Sequence, residues 1–288
     1  MTMNTNLVNL ETFSSYLVKK WGEDFNHSFP ITRHRAWCDW KQRYPDISKS
    51  NWSCANLREA SERYSWGSDP TPLIEQMQTA LASKNSDLVL TACKAIFDWG
   101  GVARERKNGG TEDASRRWVN EQVKKSSLHS EIERAVQLLK DHDDKLDAFD
   151  RHTLMMNSAM TKVYWAADPD KGLVIYDGRV GAALGLLARE FLKSMGCTTV
   201  PDELKFRWGG SRDNLVEGLP NKRNPSEGML KFPSLFTSSK KDFHHAQMMR
   251  AASFLLQNVA RKLGNVTVHE LEKALFMVGY SVSGSSNS

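Results

Sequence analysis

The spacing of apolar residues constrains this 288-residue chain more than any other feature. They recur every three or four positions, the period of a helix with one buried face. Ile132, Ala135, Val136, Leu138 and Leu139 follow Ser127 and Ser130, two residues suited to N-caps. The same spacing joins Leu73, Ile74, Met77 and Leu81, then Leu88, Leu90, Ala92, Ile96 and Phe97, then Ala182, Ala183, Leu186, Leu187 and Phe191. It continues from about Phe243 to Leu263 through Met248, Met249, Ala252, Leu255, Leu256 and Val259. Thr267 and Glu270 form a capping-box pair that opens a last helix running to about Val278. The best strand signal, Leu173–Tyr176, is only four residues long. The spacing predicts a mainly α fold.

The composition, 40% apolar and 25% charged, is that of a soluble globular protein. The length suits one large domain or two small ones. We expect an N-terminal helical part over 1–125, a second part over 126–280, and a disordered tail over 281–288. No internal repeat has a fixed period, and no run approaches the roughly 18 to 20 apolar residues of a membrane span. The opening MTMNTNLVNL has no basic segment leading into an apolar run, so no secretory signal is expected. Cys38, Cys54, Cys93 and Cys197 are widely separated, which fits free thiols in a reducing cytoplasm. His244 and His245 project about 100° apart on a helix and have no suitably spaced partner, so no metal is expected. No P-loop, GxSxG or HExxH pattern occurs, and no cofactor is expected.

Charge is unevenly distributed. Between Lys205 and Lys241 lie eight basic residues and three acidic ones, a surplus of five that equals the net charge of the whole chain. Such a segment suits a polyanion such as nucleic acid. Most of it, about Arg207 to Ser239, is rich in Gly, Pro, Asn and Ser and reads as one long irregular loop, functional or mobile. A second loop is expected over Arg104–Glu112.

Met156–Glu190 carries the most specific pattern. A turn at Asn157-Ser158-Ala159-Met160 leads into Thr161-Lys162-Val163 and an apolar helix. Asp168-Pro169 turns the chain. Val174-Ile175-Tyr176-Asp177-Gly178-Arg179-Val180, followed by Ala183-Leu184-Gly185, then opens another helix. These roughly 35 residues resemble the core of the helix-hairpin-helix DNA glycosylases, especially their 8-oxoguanine branch. There a hairpin precedes a helix that can carry a lysine, and an aspartate begins the next helix. The turn here has no glycine, where that family commonly has Pro-Gly-Val-Gly.

The resemblance implies a mainly α, helix-hairpin-helix glycosylase-like architecture and an enzyme that flips a modified base out of double-stranded DNA and cuts its N-glycosidic bond. Cleavage builds positive charge on the sugar, which a fixed carboxylate stabilises. Asp177 has that role by the resemblance, and its position before a helix favours ionisation. Lys162 matches the lysine that attacks the anomeric carbon as an amine and gives associated lyase activity. If it does not attack, Asp177 activates water. Asn157, Ser158 and Thr161 match the hairpin, and these residues, with Arg179 after the aspartate, are expected to bind the DNA. Arg207, Arg212, Lys222 and Arg223 are expected on phosphates. Trp208 is expected to stack on a base or wedge into the duplex. Trp37, Trp40, Trp66 and Trp99 are expected in the core or in pocket walls. The expected protein is a cytoplasmic monomer, nucleoid-associated if bacterial, with no membrane partner. It serves repair, with oxidised purines as substrates, or defence against phage DNA carrying hypermodified bases such as glucosylated hydroxymethylcytosine. The rival is a non-catalytic DNA-binding protein on the same scaffold.

Overall fold

The computed structural model describes residues 9–30, 51–64, 68–104, 112–143, 145–211 and 221–282. It is mainly helical, as the apolar spacing predicts. In chain order come α1 (Leu10–Gly22), β1 (His27–Pro30), β2 (Asn51–Cys54), α2 (Leu57–Glu62), α3 (Thr71–Ala82), α4 (Ser86–Trp99), α5 (Ala114–Lys124), α6 (Leu128–Lys140), α7 (Met160–Ala167) and α8 (Gly178–Ser194). A short 3₁₀ turn at Asp202–Leu204 precedes α9 (Lys241–Leu263) and α10 (Val268–Val278). The chain forms two compact units. One comprises 1–66, 177–238 and 254–288; the other comprises 67–176 and 239–253. Neither unit has a boundary at residue 125.

In the unit built on 67–176, α3 to α7 pack with the first half of α9. Asn85 caps α4 by accepting from the N–H groups of Asp87 and Leu88. Ser127 occupies the N-cap of α6, but its hydroxyl bonds to Gln122 and caps nothing, while Ser130 bonds back to the Ser127 carbonyl. Every residue of α7 is buried, against α3, α4 and α6. Leu173–Tyr176, the expected strand, is buried but irregular. Side chains of α9 take part of its backbone hydrogen bonding: Val174 N–H donates to Ser253 Oγ at 3.1 Å, and His245 Nε2 lies 2.7 Å from the Tyr176 carbonyl. A buried apolar run can forgo a sheet when its polar backbone is satisfied otherwise.

In the other unit, Phe13 of α1 meets Phe191 of α8 and Phe206. The strands pair antiparallel, His27 opposite Cys54. Phe29 stacks between Trp52 and Tyr280, 4.9 Å from each ring. The Thr267–Glu270 capping box forms in both directions. Ser281 and Val282, expected in a disordered tail, are buried, and Val282 N–H donates to the Lys222 carbonyl at 2.6 Å. Residues 283–288 lie outside the described residues. Cys54 and Cys93 are free, and burial pushes both thiols up to about 12. Cys38 lies outside the described residues.

His27 makes folding pH-dependent. It is buried, its Nε2 lies 3.1 Å from the Val278 carbonyl, and desolvation lowers its pKa from 6.5 to about 4. The unfolded chain therefore takes up a proton near 6.5 that the folded chain refuses until about 4. Stability falls as pH drops through that window, by on the order of 3 kcal/mol in full. Urea titrations at pH 7 and pH 4.5 measure the loss. His27→Gln should flatten the slope between these pH values; an unchanged slope would assign it to other groups.

Candidate functional site

Asp177 is the N-cap of α8, with an extended backbone. One oxygen, Oδ1, accepts both the Arg179 N–H at 2.8 Å and the Val180 N–H at 3.0 Å. The side chain is half-buried. Seventeen residues of aligned helix dipole lie behind it and favour its negative charge. The next residue must be glycine: a Cβ on Gly178 would lie 2.6 Å from the Gly209 Cα. The two glycines let the basic loop meet α8 backbone to backbone, and Gly209 N–H donates to the Gly178 carbonyl.

The first turn of α8 is fixed by cations on aromatic rings. The Arg179 guanidinium lies 4.3 Å from the Phe276 ring centre and 5.4 Å from that of Tyr280, and the Lys222 ammonium lies 4.2 Å from the Tyr280 ring centre. Burial lowers the Arg179 pKa to about 10, with repulsion from Arg223 adding to it and Asp177 opposing it. Arg179 stays charged at neutral pH. Tyr64 packs edge-on against Phe276. Burial, then the Glu272 and Asp177 carboxylates, raises its pKa, so its hydroxyl keeps its proton.

The described parts of the basic loop, 207–211 and 221–239, are irregular, as expected, but held by side-chain hydrogen bonds. Trp208 donates Nε1–H to the Phe232 carbonyl at 3.0 Å, and Arg207 donates to the Ser234 carbonyl at 3.0 Å. Trp208 also bridges to Ser234. The Asn221 carboxamide accepts from the Ser211 N–H and donates to the Ser211 carbonyl. Arg212 lies outside the described residues.

The residues expected in a hairpin cluster in the other unit. Asn157 Oδ1 accepts from the Ala159 and Met160 N–H groups, and its Nδ2 donates to Ser115 Oγ. An asparagine turn thus starts α7. Thr161 is fully buried, with its hydroxyl donating to the Ser158 carbonyl. Lys162 is only 7% exposed. Its Nζ donates to the Ser158 carbonyl at 3.0 Å. A Cβ on Gly100 would lie 2.5 Å from Lys162 Cδ and 2.7 Å from Cε. Gly100 has φ −74°, which any residue can adopt, so the glycine is needed for the lysine stem and not for the backbone. Beside it, Trp99 stacks on Trp165 with ring centres 5.9 Å apart. Trp37, Trp40 and Trp66 lie outside the described residues, as do 105–111 of the second loop.

One unit therefore holds Asp177, Arg179, Arg207, Trp208, Lys222 and Arg223, and the other holds Asn157, Ser158, Thr161 and Lys162. Sequence reasoning missed Tyr64, Glu272, Phe276, Tyr280 and Gly100. Phe276 lies on α10 and Tyr280 two residues past its end, and no local pattern marks the arginine they share. Among the described residues, no group of His, Cys, Asp and Glu is arranged to hold a metal, and no helix is long and apolar enough to cross a membrane. No protein-family model matches the chain, and neither a curated protein nor a solved structure is significantly similar to it.

Proposed function

We propose that this chain is a DNA glycosylase that extrudes a modified base from duplex DNA and cuts its N-glycosidic bond, leaving an abasic site. The observation that carries the reading is the setting of Asp177. Its carboxylate caps α8 through one oxygen, within a unit whose adjoining loop is basic. A carboxylate at that point stabilises the cationic sugar of the transition state or deprotonates an attacking group. Lys162, buried against Gly100, is the amine that attacks in the lyase branch of the reaction. The modified base is an oxidised purine in repair, or a hypermodified base such as glucosylated hydroxymethylcytosine in defence against phage.

The direct test incubates the protein with duplexes carrying 8-oxoguanine, hydroxymethylcytosine or its glucosylated form, then adds alkali to break the strand at abasic sites. Cleavage on one of these duplexes and not on unmodified DNA is the expected result. DNA binding with no strand breakage on any duplex would favour the non-catalytic alternative.

Binding should depend on Lys222 and Arg223. Changing both to glutamine should lower the slope of log affinity against log salt by up to about 0.9 for each phosphate that is no longer neutralised. The single-turnover rate at saturating DNA should change much less. Titrations at several salt concentrations read the slope. An unchanged slope would move the phosphate-binding surface to another face.

A further inference from the structure

Among the described residues, three large apolar side chains stand out as exposed: Leu88, Met229 and Phe236. A single exposed apolar side chain is ordinary. Phe236 differs in how it is mounted. It is 63% exposed, yet its ring lies on Gly209, where a Cβ would be 3.3 Å from Phe236 Cε2 and 3.4 Å from Cζ. Gly209 in turn rests on Gly178, the residue after Asp177. The backbone beneath the ring is fixed. Leu235 N–H donates to the Trp208 carbonyl at 2.9 Å, Phe236 N–H to Ser234 Oγ at 3.2 Å, and Thr237 Oγ1–H to the Ser234 carbonyl at 3.3 Å. Trp208, by contrast, has its indole N–H committed to the loop's own Phe232 carbonyl.

We infer that Phe236 is a stacking platform for an unpaired nucleobase. The inference rests on the glycosylase reading for its link to Asp177. The occupant is argued from charge and shape together. The ring stands in the segment that carries five surplus positive charges, with Lys231 exposed nearby in the sequence. An aromatic face within a basic track is what an unpaired base and its phosphates require, and every base offers a π-face to it. A ring already held in place loses little conformational entropy on binding.

The test compares the full chain with Phe236→Ala and Phe236→Trp. The probes are a duplex with one unpaired 2-aminopurine and the same duplex fully paired, each in a fluorescence titration. Alanine should weaken affinity for the unpaired duplex by between about 5-fold and about 150-fold, the range that removal of one base–aromatic stack implies. The paired duplex should be bound nearly as before, and tryptophan should keep the preference. Equal loss on both duplexes, or no loss, would overturn the platform. In a parallel titration with phosphatidylserine vesicles, an alanine loss seen there and on neither duplex would also overturn it and make the ring a membrane contact. If no modified base is released by the unaltered chain but the alanine loss appears, stacking stands and the glycosylase reading fails. If bases are released and the alanine variant binds and reacts normally, the glycosylase reading stands and the platform fails.

Discussion

Asp177→Asn should reduce base release by on the order of 10² or more in a single-turnover assay while leaving folding nearly untouched. The two effects separate because of how the side chain is used. Both capping bonds, from Arg179 and Val180, end on Oδ1. An asparagine carbonyl oxygen can accept the same two bonds, and Asn and Asp are about equally good N-caps. What disappears is the negative charge. Its loss from the helix dipole costs about 0.3 to 1 kcal/mol of stability. On the proposed reading, the reaction loses the carboxylate that balances the cationic sugar. The measurements are the single-turnover rate, the thermal midpoint and the DNA affinity of the variant. A near-normal rate in a folded variant would remove Asp177 from the chemistry and leave it a helix cap only.

Regular helices were the legible part of the chain. Leu73 to Leu81, Ala182 to Phe191 and the Thr267–Glu270 capping box lie in α3, α8 and α10 because each joins an apolar stripe to local start signals. α1 has the same kind of signal, with Phe13, Leu17 and Trp21 four residues apart behind an Asn9 cap, and was open to the same reading. The two strands were not legible. Twenty residues separate His27–Pro30 from Asn51–Cys54, so no short turn marks them as a pair. Leu173–Tyr176 misleads for the converse reason. An apolar run of four fits a buried strand, but the groups that receive it are Ser253 and His245, more than sixty residues further along.

The candidate site was legible where chemistry is written in residue type, and illegible where it depends on space. An aspartate before a helix and a lysine after a turn can be found by eye. That the Asp177 helix is gripped by Phe276 and Tyr280 depends on α10 returning to α8, which no local pattern encodes. In the sequence nothing sets Gly100, Gly178 and Gly209 apart from other glycines. Their use is to leave room for a neighbouring lysine stem or backbone, and room has no sequence signature.

That space around Lys162 gives the other large expected effect. With the unaltered chain and a substrate duplex, borohydride should trap a covalent protein–DNA adduct through the amine of Lys162, and Lys162→Gln should form none. The loss alone would not distinguish a nucleophile from a buried support, since Lys162 also donates to the Ser158 carbonyl. Gly100→Ala makes the distinction without replacing the lysine. The backbone at Gly100 accepts alanine, but the new methyl would lie 2.5 Å from Lys162 Cδ, so the stem must shift. A shift near 1 Å in a reacting group can cost about 10² in rate. Adduct formation should therefore fall by up to about that factor in Gly100→Ala, with the thermal midpoint little changed and Asp177 in place. Adduct yield against time, read beside base release in the same samples, separates the cases. Normal trapping in Gly100→Ala would mean that the glycine packs the stem without positioning the amine. Base release with no adduct in the unaltered chain would make the enzyme monofunctional, with Asp177 activating water and Lys162 holding the turn at Ser158.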